Sequence, residues 1–130
     1  ALGGDMDQGS YLEHANAPLL TRADMVYYMA VRHEGAAPLG DATSEPLQDS
    51  DFSGLPPTVI FTADCDPLRD DAREYQDRIK AAGGQVAWIN EAGLVHGYLR
   101  ARHSVARARD SFERISIAIE ALGQEIWPYD

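Results

Sequence analysis

The stretch Thr58-Val59-Ile60-Phe61-Thr62-Ala63-Asp64-Cys65-Asp66-Pro67-Leu68-Arg69-Asp70 decides the fold, because in it an apolar run passes directly into a helix start. Residues 58–63 show little polar alternation, which is typical of a strand covered on both faces of a parallel sheet. Asp66 followed by Pro67 is a common way to begin a helix. Four apolar residues then recur on one helical face over residues 69–82, namely Ala72, Tyr75, Ile79 and Ala82.

A second strand and a second helix follow in the same order. Gly83-Gly84 ends the first helix, and residues 85–90 form the next apolar run. A helix is predicted over 99–122, and its apolar face is expected to contain Val105, Ala108, Phe112, Ile115, Ile119 and Leu122. Strands that alternate with helices predict an α/β fold with a parallel sheet.

The region before the first strand has only one predicted helix. Residues 1–17 and 34–57 contain many Gly, Pro, Asp and Ser residues and are predicted to be loops. Between them, Thr21 can cap a helix that runs to about His33, with Asp24 completing a capping box. Leu20 is expected to pack on Met25 at the start of this helix.

Composition limits the classes of protein that remain. The chain has 130 residues, which suits one domain. Its formal net charge of −10 argues against nucleic acid or an anionic membrane as a partner. The single cysteine excludes an internal disulfide and fits a reducing, cytoplasmic location. No apolar run is long enough for a membrane span. Homo-oligomer formation is left open.

Two titratable side chains, Asp66 and His96, each follow one of the predicted strands. The carboxyl ends of parallel strands meet at one edge of a sheet, where α/β proteins place their chemistry. A carboxylate that holds an imidazole by its N–H supplies the acid and the base of a Ser-His-Asp hydrolase. Residue types alone leave simpler explanations open, since Asp66 can cap its helix and His96 can satisfy a loop hydrogen bond.

Longer segments around both residues resemble a known family. Residues 55–71, together with Val95-His96-Gly97-Tyr98, closely resemble the hormone-sensitive-lipase-like α/β-hydrolases, also called bacterial family IV esterases. Ser10-Tyr11-Leu12-Glu13 and residues 19–28 look like the cap-side helix that leads into the substrate pocket of that family. The chain departs from the family at three supporting positions, where it has Asp64, Cys65 and Tyr98.

The resemblance implies a carboxylesterase that acts on a small ester and needs no cofactor or metal. It assigns Asp66 as the triad acid and His96 as the base. The side chains it places near the substrate are Met25, Tyr28, Leu68 and Val95. It also divides the chain, with residues 1–54 forming cap-side helix and loops and residues 55–130 carrying the strands and the triad residues.

The nucleophile is missing from this sequence. No Gly-x-Ser-x-Gly motif is present, and Cys65 lacks the small residue two positions later that a nucleophile elbow needs. The family carries this motif upstream, so the chain is expected to be the C-terminal part of such an enzyme, dependent on the N-terminal part and inactive alone. Two alternatives stay open: a noncatalytic α/β module, and an amidase or peptidase on the same fold.

Overall fold

The apolar run after Pro57 forms strand β1, Thr58–Cys65, in the computed structural model, which describes residues 1–35 and 40–129. Strand β2, Val86–Val95, pairs with it in parallel, and Thr58 lies opposite Val86. Helix α3, Arg69–Ala81, connects the two strands. The predicted parallel α/β class is confirmed, although both strands extend beyond the predicted apolar runs.

Local hydrogen bonds shape both ends of α3. Asp66 Oδ1 accepts the N–H of Leu68 at 2.9 Å in the turn that leads into the helix, and Leu68 itself is the N-cap residue, without a capping side chain. At the other end, Gly83 has φ of 79° and donates to the Lys80 carbonyl at 3.0 Å, while Gly84 donates to the Ile79 carbonyl at 2.9 Å. These two bonds form a Schellman motif, which a residue with a side chain at Gly83 would strain.

The region before β1 contains more structure than predicted. Helix α2, Arg22–Arg32, has the expected capping box of Thr21 and Asp24. The prediction of loop for residues 1–17 is wrong at Ser10–Glu13, which form the one-turn helix α1. In the predicted loop 34–57, Pro46–Gln48 form a 3₁₀ turn. Residues 36–39 of that loop, and residue 130, lie outside the described residues.

The predicted final helix is divided in two. Tyr98–Ala101 form a 3₁₀ turn, and helix α4, Ala106–Gly123, begins only after the extended residue Val105. Its buried face also differs from the predicted one, because it consists of the small residues Ala108, Ser111 and Ala118. Three of the predicted core residues are exposed instead, namely Val105, Phe112 and Ile119. The small side chains are those that the helix turns inward.

Two clusters form the core. One contains Tyr11, Leu20 and Met25, as expected for packing at the start of α2. The other places Ile79 of α3 against Phe52 and Val86. Strand β1 was expected to be covered on both faces, but Ala63 is its only buried residue. It pairs along one edge, with β2.

Candidate active site

Asp66 and His96 meet at the carboxyl end of the sheet. The His96 Nδ1–H lies 2.8 Å from Asp66 Oδ2 and donates to it, since a carboxylate can only accept. The Asp66 side chain is 8% exposed and the His96 side chain 42% exposed. Asp66 therefore holds the imidazole through one nitrogen, and Nε2 is left to exchange a proton with another group. The contact predicted from the sequence is present.

A small cavity of about 260 Å³ contains this pair. Its apolar wall is formed by residues of β1, of the turns that follow the two strands and of α4, namely Phe61, Leu68, Leu99 and Ile115. A larger cavity of about 530 Å³ lies between the N-terminal loop and α2, beside Tyr11 and His33. The smaller cavity is the candidate site, because it holds a bonded carboxylate and imidazole.

The other residues predicted to contact substrate are not all brought to this cavity. Leu68 lines it and also packs against the core around Met25, so it connects the site with α2. Met25 itself is buried in that core. Tyr28 is 55% exposed on α2. Val95 is half-buried and pairs with Cys65 in the strand ladder. Of these four residues, Leu68 lies with Asp66 and His96.

The Ser10 hydroxyl is used in structural hydrogen bonds. Ser10 is fully buried, donates to the Pro67 carbonyl at 2.7 Å and accepts from the Asp70 N–H at 3.0 Å. Its hydroxyl therefore fastens α1 to the start of α3. Cys65, the last residue of β1, is half-buried.

Arg69 and Asp70 strengthen the link between α1 and α3. Arg69 Nη2 lies 2.7 Å from Glu13 Oε2, and its Nε lies 3.0 Å from Asp70 Oδ1. Asp70 Oδ2 accepts the Ser10 N–H at 3.0 Å. Gly9 permits this approach, because a Cβ on it would lie 2.5 Å from Asp70 Oδ2. The motif that carries Asp66 is thus attached to the N-terminal region.

Asp71 is a second buried carboxylate, 3% exposed, in the same motif. Its Oδ2 accepts the Leu2 N–H at 2.8 Å and the Tyr11 hydroxyl at 3.1 Å. Burial raises the pKa of Asp71 above its usual value, against the effect of these hydrogen bonds. Burial also raises the pKa of Tyr11 strongly, so the phenol stays neutral and donates.

The strand β2 carries polar contacts that sequence reasoning missed. Asp64 Oδ2 accepts the Gly93 N–H at 3.0 Å, and Oδ1 accepts from Asn90 Nδ2 at 2.9 Å. These two hydrogen bonds, with a smaller contribution from the Arg69 charge, hold the pKa of Asp64 below its usual value. The sequence carried one signal of these contacts, because Asp64 is a second carboxylate beside Cys65 at the end of β1.

Two further contacts join β2 and the turn after His96 to α4. Arg114 Nη2 lies 2.6 Å from both carboxylate oxygens of the buried Glu91. The Tyr98 hydroxyl bonds the buried Ser111 hydroxyl at 2.7 Å. Burial raises the pKa of Tyr98, which keeps the phenol protonated for this bond. The departure from the family at Tyr98 therefore adds a hydrogen bond behind the candidate site.

Neither a metal centre nor a membrane-spanning helix is found among residues 1–35 and 40–129. No group of three or more His, Cys, Asp or Glu side chains there could hold a metal ion. No helix in the same ranges is both long and apolar enough to cross a bilayer.

Comparison with known proteins identifies the family. A sequence profile described as "alpha/beta hydrolase fold" matches residues 2–100, which include Asp66, His96 and all of both strands. The chain belongs to the α/β hydrolase fold family. Membership explains why a carboxylate and a histidine follow successive parallel strands here, because α/β hydrolases place the acid and the base of their triad on such loops.

Two relatives of the chain are named as esterases. The chain is 38% identical over 99 residues to "Carboxylesterase NlhH" of Mycobacterium tuberculosis, covering 73% of the chain and 31% of that protein. It is 32% identical over 124 residues to "Esterase LipI" of the same organism, covering 91% of the chain and 37% of that protein. The chain thus spans about a third of the length of these relatives. The resemblance to hormone-sensitive-lipase-like esterases is confirmed.

A solved structure supports the same assignment. The thermophilic carboxylesterase EstE1, cloned from a metagenomic library, superposes with a TM-score of 0.75 at 28% identity. The match covers 88% of this chain and 39% of EstE1. The matched part of the chain is therefore arranged like part of a larger α/β hydrolase.

Proposed function

We propose that this chain supplies the acid and the base of a carboxylic ester hydrolase that acts through a Ser-His-Asp triad. The observation that carries the proposal is the 2.8 Å bond from His96 Nδ1 to Asp66 Oδ2, placed at the edge of a cavity with apolar walls. The esterase names of the relatives support an ester as the substrate class. The burial of the Asp66 carboxylate and the exposure of the His96 imidazole support Asp66 as the acid of the triad and His96 as the base.

The nucleophile in this proposal is a serine on a part of the enzyme that precedes these residues. The greater length of the relatives leaves room for such a part. His96 Nε2 takes the proton of the serine hydroxyl as its oxygen attacks the ester carbonyl. The tetrahedral intermediate collapses, and the same proton passes to the departing alcohol. Water then releases the acid from the acyl-enzyme by the same steps.

Asp66 has a defined task in each step. Its Oδ2 keeps the proton of the neutral imidazole on Nδ1, so that Nε2 presents its lone pair to the serine. When Nε2 gains a proton, the carboxylate charge stabilises the imidazolium. The N–H of Leu68 fixes the other oxygen at 2.9 Å, which keeps the carboxylate from rotating away.

The test compares esters with amides in the full-length enzyme. A short-chain aryl ester and the matching anilide are assayed side by side, using wild type and His96→Ala. We expect ester turnover to dominate and to fall by several powers of ten in the variant, with KM little changed. His103→Ala, which alters an exposed histidine, is the control and should keep wild-type turnover. Retention of ester turnover in His96→Ala would contradict the proposal, and preferred turnover of the anilide would replace the esterase with an amidase.

A further inference from the structure

The strand β2 bulges immediately before His96. Ala63 lies opposite Glu91, but Cys65, only two residues later, lies opposite Val95. Two more residues of β2 than of β1 therefore lie between these pairs. Gly93 is inside this bulge and has φ of 69°. Such a bulge redirects the side chains that follow it, and His96 comes directly after Val95, which closes the bulge by pairing with Cys65.

Asp64 lies on β1, opposite the bulge. Its two oxygens accept the Gly93 N–H at 3.0 Å and the Asn90 amide at 2.9 Å. Asn90 is itself fixed, because its Oδ1 lies 3.1 Å from the Thr62 hydroxyl. The amide group that the bulge removes from the strand ladder thus bonds to a carboxylate.

The segment from Gly93 to His96 is therefore bonded at both ends. Its first residue contacts β1, and its last residue contacts the loop that follows β1. Gly93 bonds to Asp64, and His96 bonds to Asp66, two residues further along. Arg107 of α4 bonds the carbonyl of Ala92, which is within the bulge. Removal of the Asp64 carboxylate would free one end of the segment while leaving the Asp66 carboxylate in place.

We propose that Asp64 is a positioning residue for the base, acting through the Gly93 N–H to set where His96 meets Asp66. The proposal rests on the function proposed above, because the position of His96 matters only if His96 transfers the proton. Misplacement of a catalytic group by about 1 Å can reduce the rate by about 100-fold. Ground-state binding of the ester does not use this hydrogen bond, so the effect should fall on kcat.

The experiment uses the full-length enzyme and two substitutions at Asp64, one that removes the hydrogen-bond acceptors and one that keeps an acceptor without the charge. Asp64→Ala removes both acceptors, and we expect kcat to fall by about 10- to 100-fold with KM changed by less than about threefold. Asp64→Asn retains one amide oxygen that can accept the Gly93 N–H, so we expect it to recover most of kcat. Both are measured well below the unfolding midpoint of each variant, so that loss of folded protein does not enter kcat.

The matched control is Asp51→Ala. Asp51 also accepts a backbone N–H, that of Ser53 at 2.8 Å, but it lies in an exposed turn before β1. Its replacement should leave kcat unchanged. A purely structural role for Asp64 would lower the unfolding midpoint of Asp64→Ala and leave kcat of the folded enzyme at the wild-type value.

Two results would overturn the inference while leaving the proposed function intact. One is a wild-type kcat for folded Asp64→Ala alongside an inactive His96→Ala. The other is an Asp64→Asn variant no more active than Asp64→Ala, since the charge rather than the acceptor would then matter. An active His96→Ala variant would instead remove the proposed function itself.

Discussion

Asp66 and Asp71 lie five residues apart in one segment and are both nearly buried, at 6% and 3% exposed, yet they belong to different regions of the molecule. Asp66 bonds a half-exposed histidine beside a cavity. Asp71 bonds the Leu2 N–H and the Tyr11 hydroxyl, away from His96. Burial alone therefore does not distinguish a carboxylate that we propose acts in catalysis from a structural one. The partner does, because an exposed imidazole can pass a proton on.

The largest expected effect comes from exchanging each carboxylate for its amide in the full-length enzyme. Asp66→Asn should lower kcat by about 10⁴-fold, because the amide favours the wrong imidazole tautomer. Asp71→Asn should change kcat by less than about threefold, because its partners lie outside the site. Steady-state ester hydrolysis measures both. Equal losses in the two variants would remove the distinction between the regions.

A smaller effect, on stability, is expected when Asp71 loses one of its hydrogen-bond partners. Tyr11→Phe deletes the hydroxyl that donates to Asp71 in a buried setting, so the free energy of unfolding should fall by about 1–2 kcal/mol. Urea denaturation of the full-length enzyme measures the change, and kcat should stay at the wild-type value. Tyr27→Phe, at a tyrosine that is 65% exposed, is the control and should be neutral. An unchanged free energy of unfolding in Tyr11→Phe would show that this bond contributes nothing to stability.

Asp64 and Asp71 should give opposite pH dependences. Their pKa values shift below and above the ordinary 3.8, respectively. The lowered pKa of Asp64 gives stability that is present above pH 3.8 and lost as pH falls through the folded value. The raised pKa of Asp71 gives a contribution that is full below pH 3.8 and lost as pH rises through the folded value.

Unfolding midpoints between pH 7 and pH 3 test this difference. The stability advantage of wild type over Asp64→Asn should shrink as pH falls. The unfolding midpoint of wild type should rise relative to that of Asp71→Asn over the same interval. Parallel pH dependences in the two comparisons would contradict the opposite pKa shifts.

The smallest effect is expected at Tyr28, which we propose contacts substrate from α2. Tyr28 is 55% exposed, so Tyr28→Ala should alter the free energy of unfolding by no more than about 0.5 kcal/mol. Loss of a contact with bound ester should raise KM and leave kcat unchanged. Kinetics on an aryl ester, with Leu12→Ala at another exposed apolar residue as the control, measure this. An unchanged KM would place Tyr28 outside the substrate pocket.

Local rules made the strand ends predictable from sequence. Parallel strands bring their carboxyl ends to one edge, so residues that follow β1 and β2 had to lie close together. The Asp66-Pro67 start and the Gly83-Gly84 end of α3 depend on backbone preferences that neighbouring residues alone specify. These features needed no knowledge of the rest of the fold.

Features that depend on distances between elements were not predictable. The burial of Ala108, Ser111 and Ala118, rather than the larger Phe112, follows from which face of α4 turns inward. The bulge at Gly93 follows from the pairing register of β2 with β1. A hydrophobic pattern reports which residues are apolar, but it does not report which of two apolar faces a neighbouring element covers.

Covalent labelling tests the central claim most directly. A p-nitrophenyl phosphonate reacts with an activated serine and releases p-nitrophenol as the phosphorus–oxygen bond to the enzyme forms. In the full-length enzyme we expect one adduct per active site, located by peptide mass mapping on a serine outside residues 1–130. Its formation should slow by about 10³-fold or more in His96→Ala. An adduct on Ser10, Cys65 or any other residue of this chain would contradict the proposed location of the nucleophile. An unchanged rate in His96→Ala would contradict the assignment of His96 as the base.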